Sequence, residues 1–219
     1  MKIDIKKFIK YIIIMLIYFV SELVFIPLFD INNLTSKDEC VLTLLSSILC
    51  SMILILIYRK DLIKDMKSFK KNYKTILKTS ITYWLIGYLL LTVSTALVTN
   101  IIHYIGNNQS TLEGLINTNK LYMILSVTIF SPFVEEMIFR KSIRDFCKSD
   151  LLFMIISGLI FGYMHVMSET VLINYLLIIP YAIFGYIFAK AYVETDNIFT
   201  SIIMHMIHNT FAIVLLLLV

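Results

Sequence analysis

The sequence is short of almost everything a water-soluble domain of its length relies on. Only 16% of its 219 residues are charged against 59% hydrophobic, and the mean hydropathy is +0.85. A soluble domain carries about a quarter charged residues, so that class is excluded and the chain is read as dissolved in membrane. The three cysteines, Cys40, Cys50 and Cys147, are odd in number and form no CxxC pair. They suggest neither a disulfide framework nor a zinc knuckle and are read as small apolar residues. Three prolines and six glycines build no linker, and no repeat or low-complexity tract divides the chain. Residues 1–219 are therefore read as one integral-membrane domain.

What is present in quantity is apolar sequence. Set against the roughly 20 residues needed to cross a bilayer, the uncharged runs predict seven spans, at 9–28, 40–58, 79–102, 121–139, 151–168, 170–189 and 197–218. The fold expected is an all-α, polytopic transmembrane helix bundle. The first run follows a basic lead of Lys2, Lys6, Lys7 and Lys10, but it is long and lacks a small-x-small cleavage site, so it is read as a retained anchor. Basic residues mark cytoplasmic loops, and a cytoplasmic N-terminus puts 17 of the 19 on that side, leaving only Lys37 and Lys120 outside. The net charge of +4 then reflects topology and contact with anionic lipid headgroups, not nucleic-acid binding. The basic stretch 59–78 reads as an amphipathic cytoplasmic connector.

Ionisable groups inside spans are costly and usually face a cavity or a partner. Few occur: Glu22, Glu135, Glu136, His165, His205 and His208, with Asn209 beside them. In SPFVEEMIFR (131–140), Glu136 and Arg140 are four apart and hence paired on one helix face. Glu135 is turned about 100° away and left free. His205 and Asn209 are also four apart, and His165 follows Gly158 and Gly162, a small-xxx-small pair that admits a close helix neighbour. Pro132 removes a backbone hydrogen bond just before Glu135 and is expected to kink the helix and make room for water. His103 and His208 read as loop and packing residues, while Glu22 either pairs with a buried polar group or borders a water-filled opening.

The set suits hydrolysis. A carboxylate in an apolar cavity serves as a general base toward water, a histidine beside it orients that water, and a His/Asn pair can donate to an oxyanion. Two histidines and a carboxylate (Glu135, His165, His205) could also hold zinc, although no HExxH helix is present. Direct and zinc-assisted activation of water both stay open on the sequence.

Three motifs in order carry a resemblance: EEMIFR (135–140) is similar to EExxxR, FGYMH (161–165) to FxxxH, and HMIHN (205–209) to HxxxN/B. Over residues 120–215 the chain resembles the CAAX protease and bacteriocin-processing (CPBP, or Abi) intramembrane protease family, whose eukaryotic relative is the type II CAAX prenyl endopeptidase. The resemblance implies that Glu135 activates water with His165, that His205 and Asn209 form the oxyanion site, and that Glu136 and Arg140 support the motif helix. It leaves zinc dependence undecided. It also implies eight spans, and residues 141–150 are the place for a short extra helix.

Depth adds a constraint. Were the fourth helix to end at Phe139, Glu135 would lie at the cytoplasmic edge and His165 about 21 Å from it. The two can meet only if that helix runs on to about Cys147, with Arg140 buried against Glu136 and with Lys141 and Arg144 snorkelling. The function expected is an intramembrane endopeptidase of the cytoplasmic membrane, acting on a membrane-associated protein or peptide. The alternatives are a non-catalytic bacteriocin-immunity or partner-binding protein, and a proton- or cation-coupled transporter, for which no inverted repeat is visible.

Overall fold

A computed structural model describes residues 4–30, 33–104 and 120–218, and Lys2 and the side chain of Lys120 lie outside them. Among the described residues every regular element is helical, as the composition requires. Helix α1 (Ile5–Val20) starts where the Asp4 side chain accepts the Lys7 N–H, at 3.2 Å. It ends where the Ser21 hydroxyl turns back to the Tyr18 carbonyl. Two short 3₁₀ turns follow, bent 48° from the helix, and the second contains Pro27.

Helix α2 (Ser36–Ile102) opens on a capping box in which Thr35 and Asp38 satisfy each other's backbone N–H. At 67 residues it would measure about 100 Å if straight, over three bilayer cores. It leaves helical φ/ψ at Tyr58 and Asn72, which separates an apolar arm, a charged connector and a second apolar arm. Cys50 and Leu54 of the first arm share the apolar core with Tyr11 and Ile14 of α1, and the second arm meets the last helices through Gly87 on Phe184 and the Ser80 hydroxyl on the Thr200 carbonyl.

Helix α3 (Leu121–Phe146) continues past Arg140 to Phe146, with Cys147 as its cap, in keeping with the depth constraint, and Arg140 is fully buried. Residues Ile143–Phe146 continue this helix and supply no extra one. At its C-terminal end Lys141 reaches Asp61 and Asp145, and Arg144 reaches Asp150. Helix α4 (Asp150–Val166) and helix α5 (Leu172–Thr195) approach closely through glycine. A Cβ on Gly158 would stand 2.6 Å from the Ala182 carbonyl oxygen, and one on Gly162 2.8 Å from the Ala182 nitrogen. Helix α6 (Ile198–Leu218) is capped from a distance: Asp65 of the α2 connector accepts the Ile198 N–H and, through its carbonyl, the Asn197 amide.

Four described helices (α2, α3, α5 and α6) are long and apolar enough to span, or five when the bent α1 pair is one span, where the sequence predicts seven. The difference has two sources. The expected spans 40–58 and 79–102 lie in one continuous helix, and α4, with 17 residues, is shorter than a full crossing. The chain is a multi-pass membrane bundle.

Candidate active site

The site is built around an irregularity in α3. Ser126–Phe130 is wound as a π-helix, Ser131–Glu136 returns to α, and Met137–Ser142 is π again. In the first π turn the Ser131 N–H reaches Ser126, five residues back. In that register the Val127 carbonyl falls to residue 132, and Pro132 has no N–H to give. Asn209 of α6 supplies the missing donor, its Nδ2 lying 2.8 Å from the Val127 oxygen. The expected disturbance at Pro132 is thus a widened turn, tied to the helix that carries His205.

The two glutamates face different surroundings. Glu136 is fully buried, with Oε2 3.0 Å from the Arg140 Nε. The Arg140 Nη1 donates to the Ser157 hydroxyl at 2.8 Å, and that hydroxyl donates to the Phe139 carbonyl at 2.7 Å. Phe161 lies under the guanidinium, 4.8 Å from the ring centre. The second oxygen of Glu136 accepts from the His205 Nδ1 at 2.9 Å. A carboxylate offers no proton, so the Nδ1 carries the hydrogen. The other ring nitrogen, Nε2, is then directed toward Glu135, 3.9 Å from its Oε2.

Glu135 keeps 18% of its side chain exposed and lines a cavity of about 350 Å³. Tyr18, Glu22, Cys50, Ser131 and Met164 are among its other walls, so α1, α2, α3 and α4 all contribute. Of the two readings of Glu22, the one bordering an opening matches this position. His165 is half-buried, stacked 4.6 Å from Tyr181, with Nδ1 donating to the Phe161 carbonyl at 2.9 Å. In the neutral ring this leaves Nε2 as an acceptor. His103 closes α2 as a left-handed cap, and His208 packs on Phe184 and Tyr88, in keeping with loop and packing roles.

The structure therefore joins Glu136, Arg140 and His205 by direct contacts and sets Glu135 beside them. Asn209 is attached to the backbone of the same helix. Among the described residues no three His, Cys, Asp or Glu side chains come together as a metal site, so Glu135, His165 and His205 do not fit a shared zinc ion. No step is routed through one. Sequence reasoning missed the Glu136–His205 contact and Ser157. The only signal for Ser157 is a lone hydroxyl next to Gly158 in an otherwise apolar run.

Comparison with known proteins bears on this geometry. The model of the family "Type II CAAX prenyl endopeptidase Rce1-like" matches residues 117–211, which contain every residue of the site on α3, α4 and α6. An uncharacterized protein of Mycoplasma capricolum is 25% identical over 209 residues, covering 88% of this chain, and the chain spans 60% of that relative's length. A Bacillus subtilis protein named "Putative membrane peptidase YdiL" is 27% identical over 226 residues, covering 94% of this chain and 88% of its own. No solved structure matches. Over residues 117–211, the chain is similar to the Rce1-like family of type II CAAX prenyl endopeptidases.

Proposed function

We propose that the chain is an intramembrane endopeptidase that hydrolyses a peptide bond of a membrane-associated protein or peptide in the cytoplasmic membrane. One observation carries the reading: of two adjacent carboxylates, Glu136 is sealed on Arg140 and His205, while Glu135 borders the cavity. A carboxylate committed to neighbours cannot take a proton from water, whereas an uncommitted one can. The family match and the Bacillus subtilis relative support a membrane peptidase.

In the proposed mechanism water sits between Glu135 and the free nitrogen of His165. Glu135 takes its proton as the oxygen adds to the carbonyl carbon. His205, in its imidazolium form, has an Nε2–H to offer the oxyanion while Glu136 holds Nδ1. Asn209 keeps one amide hydrogen beyond the one given to Val127, enough for a second oxyanion donor. Transfer of a proton to the departing amine completes the cleavage.

The test is cleavage by purified protein carrying Glu135→Ala, His165→Ala or His205→Ala, together with proteomics of membranes with and without an intact Glu135. Removal of the base is expected to cost about 10²-fold or more. Full activity of the Glu135 variant would refute the reading, and accumulation of one uncut peptide would identify the substrate.

A further inference from the structure

On the opposite side of α3 from the catalytic cavity lies a second concavity, about 540 Å³ in volume. Ile55, Met66, Phe133 and Phe199 are among its apolar walls. Its remaining edge is cationic: Arg59, Lys67 and Lys70, all exposed and all from the α2 connector. The acids that could neutralise them are committed elsewhere. Asp61 pairs with Lys141, Asp65 accepts from the Ile198 N–H, and Asp196 pairs with Lys64. Among the described residues Arg59, Lys67 and Lys70 make no ion pair.

A groove with apolar walls and three uncommitted cations on one rim matches one chemistry: a phosphate-bearing headgroup attached to a hydrocarbon chain. We propose that the groove binds one anionic phospholipid, its headgroup on Arg59, Lys67 and Lys70 and an acyl chain against Phe133 and Phe199. Its volume falls within the range of dedicated ligand sites. The apolar walls leave a soluble anion without a partner for most of the surface, and a neutral lipid leaves the cations unanswered. Phe133 belongs to the α3 turn that carries both glutamates, and Phe199 to the first turn of α6, which carries His205. The bound chain therefore spans the two helices that meet at the site.

The experiment is native mass spectrometry of the purified full chain in detergent with equal amounts of POPG and POPC. Three cations near a headgroup favour the anionic lipid by roughly a hundredfold. Wild type should retain one POPG with a preference of that order, and the Arg59→Gln/Lys67→Gln/Lys70→Gln variant should fall to about onefold. Neutralising three lysines further along α2 and outside the groove, Lys71→Gln/Lys74→Gln/Lys78→Gln, should leave the preference in place. Equal loss in both triple variants, equal retention of POPC, or displacement of POPG by millimolar inorganic phosphate would each overturn the proposal. Should the groove variant fail to fold, Met66→Glu places an opposing charge at an exposed position. Retention of POPG by that variant would equally overturn it.

Discussion

Replacing Arg140 with methionine is the most informative perturbation of this bundle. The guanidinium and the Glu136 carboxylate are both at 0% exposure and 3.0 Å apart. Methionine keeps much of the volume but leaves a carboxylate buried with only the His205 ring to answer it. Removing one partner of a buried pair costs about 3–5 kcal/mol, because the remaining charge is uncompensated. At about 2–4 °C per kcal/mol for a chain of this size, the melting temperature should fall by roughly 6–20 °C. All three cysteines are free and buried, so a thiol-reactive dye reports unfolding without any added label. The double variant Glu136→Gln/Arg140→Met removes both charges and should recover most of the stability. It should not recover cleavage, since a glutamine no longer anchors His205 as a carboxylate does. A single variant that melts within about 2 °C of wild type would refute the account of the pair, as would a double variant no more stable than the single.

Three further outcomes are expected. Gly158→Ala drives a Cβ to 2.6 Å from a backbone oxygen that cannot move aside, and should cost about 1–3 kcal/mol in thermal melts. Gly87→Ala, whose nearest neighbours are side-chain atoms at 3.1 Å, should cost less, and the reverse order would refute the packing argument. Asn209→Ala leaves the Val127 carbonyl without a donor and, on the proposed mechanism, removes one oxyanion donor, so activity should fall more than tenfold while the melting temperature drops by only a few degrees. Burial holds the Asp65 carboxyl above the usual aspartate range, an effect the Ile198 N–H only partly offsets. The folded chain then keeps that proton to higher pH than the unfolded chain does. Its contribution to stability is greatest below the ordinary value of about 3.9 and declines as pH rises through the raised one. Asp65→Asn should flatten that part of the curve of melting temperature against pH, and an unchanged curve would count against it.

Which features were legible in the sequence depended on whether they were local. The Glu136–Arg140 pair is four residues apart and could be read directly, as could the close approach at Gly158 and Gly162. The extension of α3 past Arg140 followed from matching depths across two helices. The Glu136–His205 contact spans 69 residues, and no periodicity announces it. The Asn209–Val127 bond depends on a π register that pairs Val127 with Pro132, and helical spacing of 3.6 cannot express that. The continuity of α2 did leave a trace. No proline or glycine falls between Ser36 and Tyr83, so nothing in the connector stops a helix that charge alone suggested was a loop.

Adjacency of the two glutamates is what makes the arrangement work. Neighbours on a helix point about 100° apart, so one carboxylate can face the sealed interior while the next faces the cavity. The interior carboxylate is shared between its own helix, through Arg140, and α6, through His205. Sharing it sets the rotation and depth of α6 against α3, and the Asn209–Val127 bond repeats the constraint from the same two helices four residues further along α6. Two ties along one helix leave little freedom to the ring between them. On the proposed reading, the position of the second His205 nitrogen beside Glu135 is therefore a consequence of the buried ion pair. Swapping the pair's charges, with Glu136→Arg and Arg140→Glu together, should keep an ion pair on the helix yet place a cation against His205. Stability largely kept and cleavage lost would separate the positioning role from the structural one, whereas cleavage at the wild-type rate would show that His205 does not depend on Glu136.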